Sequence, residues 1–153
     1  KLQSEYVLYP SYTALESVVL KADGKTYTFR LSTKEVPATD EDGNETVTTE
    51  NVVTLNSKNI DPDQFYIMYQ DIALMETGGS DTTTKAGDKV LTVTYNYLTD
   101  RASDTVIFCE TDTQKVIPFV NGERTGYVYS ADISAIVKNI PLLVNGQEVA
   151  SIR

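Results

Sequence analysis

Tyrosine is the residue type in this sequence best suited to binding, because its side chain joins an apolar ring to a hydroxyl that forms hydrogen bonds. The chain has 10 Tyr and 4 Phe but no Trp. Three tyrosines near the amino terminus, Tyr6, Tyr9 and Tyr12, are candidates for contacting a partner. The other clusters are Tyr66 and Tyr69, Tyr95 and Tyr97, and Tyr127 and Tyr129. Because tyrosine also favours strands, we expect most of these in the core or in cross-strand pairs, with carbohydrate or peptide binding as the alternative.

A run of acidic residues at positions 40–45 offers carboxylate oxygens, the natural ligands of calcium. Its spacing does not match an EF-hand, because placing Gly43 at the sixth loop position would put Ala38 first and Thr49 last. Asp, Asn and Gly are also the residues that tight turns require. We therefore predict a solvated hairpin tip. Asn44-Glu45-Thr46 fits the N-glycosylation pattern, which is too short to be informative.

Nucleophilic and metal chemistry have few residues available, since the chain has no His and one Cys. The lack of His removes the commonest general base and metal ligand, and with them Ser-His-Asp and Cys-His catalysis. Cys109 lies between Phe108 and Glu110 without an adjacent basic residue to lower its pKa, so we expect a packed strand thiol. A single cysteine cannot form an internal disulfide or a multi-cysteine zinc site. We expect no cofactor, no metal site and no enzymatic activity.

The balance of charge limits the partners. Lys and Arg number 13 against 22 Asp and Glu, a formal net charge of −9. This disfavours nucleic acid, which attracts a surplus of cations, and equally disfavours an anionic membrane surface. No stretch approaches the roughly 20 apolar residues that cross a bilayer. The chain starts at Lys1 without a signal-peptide pattern, so we expect a trimmed or mature fragment whose anchor lies outside this sequence.

The elements that must position these residues follow one plan twice. In the first half, Asp23-Gly24 is a hairpin signal, and Tyr27 and Phe29 alternate with polar residues as in a half-buried strand. Residues 33–45 and the strand after them form a long hairpin. A helix over residues 61–77 then begins with Asp61 as N-cap and ends at Gly78-Gly79.

The second half repeats this order after a small, polar and flexible linker at residues 78–88. Strands at residues 115–120 and 125–129 flank a turn at residues 121–124. A helix over residues 130–144 follows, with Ser130 as N-cap. Pro141 removes an amide donor inside this helix, so we expect a kink or break near residues 139–140.

Residues 15–149 resemble the bacterial DUF4340 (domain of unknown function 4340) family. The similarity rests on a hairpin, SVVLKADGKTYTFRL, and on a series of strands and turns in the second half. Those segments are Val93-Thr94-Tyr95, residues 105–108, Val120-Asn121-Gly122, Tyr127-Val128 and the helix at 130–144. Pro141 and the acidic segment at 33–45 depart from the pattern. The resemblance implies an exported domain tethered by an N-terminal lipid or transmembrane segment, accompanying an ABC transporter, and it brings no catalytic residues.

We therefore predict a single α+β domain over residues 1–153, with pseudo-repeat halves at 15–77 and 89–149. Its mainly antiparallel sheet has about six or seven strands, and the two helices pack on one face. The predicted function is a non-catalytic extracytoplasmic binding or scaffold module whose partner is another envelope protein. The alternatives are a hydrolase that uses acidic residues, and a small-solute or glycan-binding module that uses the tyrosine clusters.

Overall fold

The first half of the chain supplies four strands and one helix. The computed structural model describes residues 6–152. After a short 3₁₀ turn at Tyr12–Ala14, the elements are β1 (Leu15–Ala22), β2 (Lys25–Thr39), β3 (Glu45–Leu55), β4 (Lys58–Ile60) and α1 (Pro62–Ala73). The second half supplies β5 (Lys89–Tyr97), β6 (Asp104–Glu110), β7 (Lys115–Val120), β8 (Glu123–Arg124), β9 (Val128–Tyr129) and α2 (Ser130–Val144).

Within residues 6–152, nine strands form one antiparallel sheet, in the order β4-β3-β2-β1-β5-β6-β7-β8, with β9 also paired to β7. The predicted α+β class is confirmed, and the strand count is higher than predicted. The strands that were not predicted, β4 and β8, have three and two residues, too few to show a period of two in the sequence. Both halves extend outward from the central β1–β5 pair.

Both helices cover one face of the sheet. Along β5 the side chains of Leu91, Val93 and Tyr95 alternate onto this face, and β1 supplies Val18 and Leu20 opposite them. The buried helix residues that pack there include Phe65, Met68 and Ile72 from α1, and Ile133, Ile136 and Ile140 from α2. Burying a side chain of this size is worth about 1.5–3 kcal/mol, so this layer is the main source of stability.

Helix α1 starts as predicted and ends earlier. The Asp61 carboxylate accepts hydrogen bonds from the amides of Asp63 (2.9 Å) and Gln64 (3.4 Å), which confirms the N-cap. The helix ends at Ala73, so the predicted range of 61–77 was too long. The reason is tertiary, because the Met75 carbonyl accepts a hydrogen bond from the Val7 amide (3.1 Å) and the chain is extended there.

Helix α2 differs from the prediction at both ends. Its N-cap is Tyr129 rather than Ser130, because Tyr129 is the last extended residue of β9 and the helix follows it directly. The helix continues through Pro141 to Val144, so a break at 139–140 was wrong. Pro141 lies in the last turn, where little helix remains for the lost amide to disrupt. The predicted last residue of the helix, residue 144, is confirmed.

The turn after β7 is tighter than predicted. It consists of Asn121 and Gly122 alone, with φ of +51° and +87°, the two positive values that a type I′ turn needs. Of the predicted strand at 125–129, only Val128–Tyr129 is a strand (β9), and β8 lies within the predicted turn. Between β8 and β9, Gly126 has a positive φ of 50°. A side chain at Gly126 would meet the Gly79 carbonyl oxygen at 2.5 Å, so this close approach requires glycine.

Strands β2 and β3 form the predicted long hairpin, which projects beyond the rest of the sheet. Their register runs from Phe29↔Leu55 to Thr39↔Glu45. The β1 pairing of β2 stops at Arg30, and the β4 pairing of β3 starts at Val53. Beyond these points the two strands pair only with each other, and residues 31–52 are called the hairpin arm. At about 3.3 Å per residue, the nine residues 31–39 of β2 extend roughly 30 Å.

No helix within residues 6–152 is long and apolar enough to cross a membrane.

Candidate binding site

Four tyrosines from two distant parts of the sequence line one cleft of about 390 Å³. Tyr9 and Tyr12 come from the amino-terminal segment, and Tyr66 and Tyr69 come from α1. The complete lining is Tyr9, Pro10, Ser11, Tyr12, Thr13, Tyr66 and Tyr69. This surface is called the tyrosine cleft. The sequence placed Tyr9 and Tyr12 together as candidates, but it gave no sign that Tyr66 and Tyr69 would join them.

Two hydrogen bonds hold the cleft in place. The spacing of three between Tyr66 and Tyr69 brings both onto one side of α1. The amide of Val7 binds the carbonyl just beyond that helix, as described above. The Tyr69 hydroxyl donates a hydrogen bond to the Pro10 carbonyl, and this contact is buried. These two hydrogen bonds fix the amino-terminal segment against α1 and the residues that follow it.

The rings meet in the geometry that aromatic quadrupoles favour. Tyr12 approaches Tyr66 at 5.1 Å between centroids and 88°, and it approaches Tyr69 at 5.0 Å and 71°. Edge-to-face pairs of this kind contribute about 0.5–1.5 kcal/mol beyond their buried area. Tyr69 is only 3% exposed and forms the base, whereas Tyr9 and Tyr66 are 54% and 40% exposed at the rim. The cleft is therefore a rigid base with two accessible aromatic rings.

Burial determines the electrostatics of the cleft. Burial raises the pKa of Tyr12 to about 12, and the neighbouring Tyr66 adds to the effect. Burial also raises the pKa of Tyr69 well above its usual range. Both hydroxyls are therefore neutral at physiological pH. No carboxylate or amine is among the lining residues. The cleft offers ring faces and hydroxyl groups to a ligand.

Tyr6, the third predicted partner-binding residue, does not line the cleft. Its ring packs against Tyr9 at 5.6 Å and 76°, and its backbone forms a bridge with Glu76. Tyr6 therefore contacts one of the rings that line the cleft. The structure thus places Tyr9 and Tyr12 at the cleft and Tyr6 next to it.

The acidic tip of the hairpin arm is a structured turn. The Asp40 carboxylate accepts hydrogen bonds from the amides of Asp42 (2.9 Å) and Asn44 (2.8 Å). Gly43 has a φ of +81°, as a three-residue hairpin loop with a bulge requires. Asn44 and Thr46 of the glycosylation pattern are both exposed. Within residues 6–152, no three His, Cys, Asp or Glu side chains are grouped so as to hold a metal ion.

Cys109 is buried on the sheet face opposite the helices, which confirms its prediction as a packed thiol. Its cross-strand neighbour is Ile117, which is also buried. Burial raises the pKa of the Cys109 thiol, and Lys89 opposes this only in part. A thiol of this kind is a poor nucleophile.

A second cleft of about 460 Å³ is lined in part by carboxylates, the groups that the predicted hydrolase alternative requires. Asp71, Glu76 and Asp132 are among the residues that line it. Asp71 is almost fully buried, and its two oxygens accept hydrogen bonds from the Ser151 hydroxyl (3.0 Å) and the Ile152 amide (3.2 Å). This carboxylate holds the carboxy-terminal segment against α1.

Asp81, in the segment predicted as a linker, is the centre of an ion-pair cluster that the sequence does not reveal. Its carboxylate accepts hydrogen bonds from the Thr84 hydroxyl (2.6 Å), Lys115 (3.2 Å) and Arg124 (3.2 Å). The Thr84 contacts, above all, lower the pKa of Asp81 well below its usual range. Because Lys115 and Arg124 are far away in sequence, no local pattern marks this cluster. It fastens the segment to β7 and β8.

Comparison of the chain with protein-family models, with curated proteins and with solved structures finds no match. The resemblance to the DUF4340 family stays a prediction from the residues alone.

Proposed function

We propose that this chain is a non-catalytic binding module that holds an extended, proline-containing segment of a partner protein in the tyrosine cleft. The observation that carries the proposal is the pair of exposed rings, Tyr9 and Tyr66, above a base fixed by Tyr12 and Tyr69. Clefts lined with aromatic rings bind polyproline II segments, which lose little conformational entropy on docking. With the resemblance described above, the proposed setting is the bacterial cell envelope, and the proposed partner is another envelope protein.

The lining favours a peptide over a glycan. Sugar rings carry many hydroxyls that need polar partners, and Ser11 and Thr13 at the cleft already hydrogen-bond to each other (3.1 Å). Proline rings need apolar faces and a few donors for their carbonyl oxygens, and tyrosine supplies both. A glycan-binding module remains the alternative hypothesis for the same surface.

A titration with synthetic peptides, followed by amide NMR shifts, tests the proposal. A proline-rich ten-residue peptide should move the signals of Ser11 and Thr13, and the same peptide with alanine for proline should bind at least about tenfold more weakly, a loss of about 1.4 kcal/mol. The variant Tyr9→Ala/Tyr66→Ala should lose the response. Tyr129→Ala is the matched control, since Tyr129 is 51% exposed and lies outside the cleft.

Two outcomes would contradict the proposal. Shifts at Ser11 and Thr13 caused by oligosaccharides and by no peptide would assign the cleft to glycans. Hydrolysis of a peptide or glycan substrate, lost on changing Asp132 to Asn, would favour the hydrolase alternative, because Asp132 lines the second cleft.

A further inference from the structure

The molecule carries opposite charge at the two ends of strand β2. This strand runs from Lys25 to Thr39, and its 15 residues extend about 50 Å. A cluster of lysines lies where the strand begins, and the acidic tip of the hairpin arm lies where it ends. Neither surface shares a residue with the tyrosine cleft.

The positive end is a broad cleft of about 590 Å³ on the sheet face opposite the helices. Lys21, Lys25 and Lys89 line it, all exposed, against a single carboxylate from Asp23. This surface is called the basic cleft. Its hydroxyl groups come from Thr26, Thr92, Thr94 and Thr105. Three converging lysines stand out in a chain whose net charge is −9. Its volume lies within the range of about 300–1,000 Å³ that is usual for ligand pockets.

The negative end is preorganised. The Asp40 carboxylate binds amides of its own turn, so it shapes the tip. Glu41, Asp42 and Glu45 are exposed around it. No Lys or Arg occurs between residues 35 and 57, so the outer arm has no neutralising charge of its own. The tip therefore offers several carboxylates in a fixed arrangement.

We propose that the basic cleft binds the acidic hairpin tip of a second copy of this chain. Charge complementarity supports this occupant, because each copy carries both the lysines of the basic cleft and the carboxylates of the tip that match them. The tip cannot reach its own cleft, since β2 separates the two by its whole length. The hairpin arm projects roughly 30 Å beyond its own sheet, which allows it to reach a neighbour before the two bodies collide.

This contact joins two different surfaces, so each copy keeps one free tip and one free cleft. Such a head-to-tail interface does not close on itself as a two-fold dimer does, and it produces rings or open chains. Because exposed charges carry it, the association should be weak and sensitive to salt. The hydroxyl groups of Thr26 and Thr92 in the cleft can add hydrogen bonds to the tip carboxylates.

Sedimentation equilibrium of the whole chain tests the proposal directly. At about 0.01 M salt, where the screening length is about 30 Å, the weight-average mass should rise with protein concentration above the 16.9 kDa of one copy. At about 1 M salt, where the screening length is about 3 Å, it should return to 16.9 kDa at every concentration.

Two variants and their mixture locate the interface. The tip variant Glu41→Gln/Asp42→Asn/Glu45→Gln keeps Asp40 and therefore its turn, and the cleft variant is Lys21→Gln/Lys25→Gln/Lys89→Gln. Each variant alone should stay at the mass of one copy. Mixed in equal amounts, they should form a dimer that does not grow, because only one intact tip and one intact cleft are complementary in each pair. Asp112→Asn/Glu123→Gln/Glu148→Gln, which removes the same charge elsewhere, should associate like the parent.

Three results would overturn the proposal. The first is a parent that stays at the mass of one copy across the low-salt series. The second is continued growth of either variant alone. The third is a mixture that shows no dimer although the parent associates. Unfolding curves equal to that of the parent establish that each variant is folded, and these exposed positions are expected to allow it.

Discussion

Individual side chains in this protein are divided sharply between core and surface, even when their type is the same. Tyr95 is 1% exposed at the centre of the sheet, and burial raises its pKa far above the usual range. Tyr9 is among the exposed large side chains of the described chain. The first stabilises the fold, and the second is available to a ligand. A substitution should therefore change stability when the residue is in the core, and ligand binding when the residue is on the surface of the cleft.

Ile136 tests the core at this scale. It is fully buried where α2 meets the sheet, so Ile136→Ala should lower the free energy of unfolding by about 2–5 kcal/mol through lost burial and the cavity left behind. Urea unfolding measures this as a lower midpoint with an unchanged slope. Ser134→Ala, at an exposed position of the same helix, should stay within about 0.5 kcal/mol. A urea midpoint for Ile136→Ala equal to that of the parent would contradict the assignment of Ile136 to the core.

At this scale the sequence identifies the core better than it identifies the site. Ile136 could be predicted because apolar residues recur at helical spacing, and burial follows from that spacing. Tyr9 and Tyr66 could not be placed together, since their proximity depends on the amino-terminal segment bonding to the end of α1. A contact between residues so far apart leaves no periodic signal in one sequence.

Among the elements, the segment between the two halves is the one whose structure the sequence predicted least well. Its Asp81 binds Lys115 and Arg124, and Gly87 donates to the Glu110 carbonyl (2.7 Å). Lys115 alternates with the core residue Val116 and thus faces away from the helices. The segment therefore passes from the helix layer to the opposite face of the sheet, where Ile117 is buried.

The charge on Asp81 should stabilise the position of this segment in a pH-dependent manner. Hydrogen bonds lower the pKa of Asp81 in the folded state below its value of about 3.9 in the unfolded state. The charge therefore stabilises the fold in full above the unfolded-state pKa, and this stabilisation is lost as the pH falls through the folded-state pKa. Asp81→Asn should lower the thermal midpoint at neutral pH. The difference from the parent should stay constant down to about pH 4 and shrink below it.

Thermal unfolding over a pH series checks this prediction, with Asp112→Asn as an exposed control. A difference that does not change between neutral pH and strongly acidic pH would mean that packing, and not charge, accounts for the effect of Asp81.

Elements with a strong period were predictable, and those set by contacts with other parts of the chain were not. The alternation in β5 and the cap at Asp61 are local, and both are present. Helix α1 ends early because the chain at Met75 pairs with the amino-terminal segment. Helix α2 is continuous because Pro141 lies in its last turn, with little helix after it. Local propensity gave the wrong answer at both places because tertiary contacts and position outweigh it.

For the whole molecule, the hairpin arm is a structure added to an otherwise complete domain. Residues 45–51 of β3 are all exposed, and so are residues 32–35 of β2. The core positions of this hairpin, Phe29, Val53 and Leu55, lie at its base. A two-stranded ribbon is marginally stable by itself, so the arm depends on the body.

Removing the arm should therefore leave the domain folded. Replacing residues 33–51 by Asn-Gly joins Ser32 to Val52, which are already cross-strand partners, through a two-residue turn. The free energy of unfolding should stay within about 1 kcal/mol of the parent, since the shorter connection changes chain entropy only slightly. The denaturant slope should also be retained, because this slope follows the surface that unfolding exposes and the arm buries little of it. Urea unfolding followed by circular dichroism measures both quantities.

A deeper excision that replaces residues 30–54 takes away Val53, and it should lower stability sharply because a core side chain is lost. If the shorter excision also lowered the midpoint and the slope, the arm would be part of the cooperative unit, and its exposed strands would be needed for the body to fold.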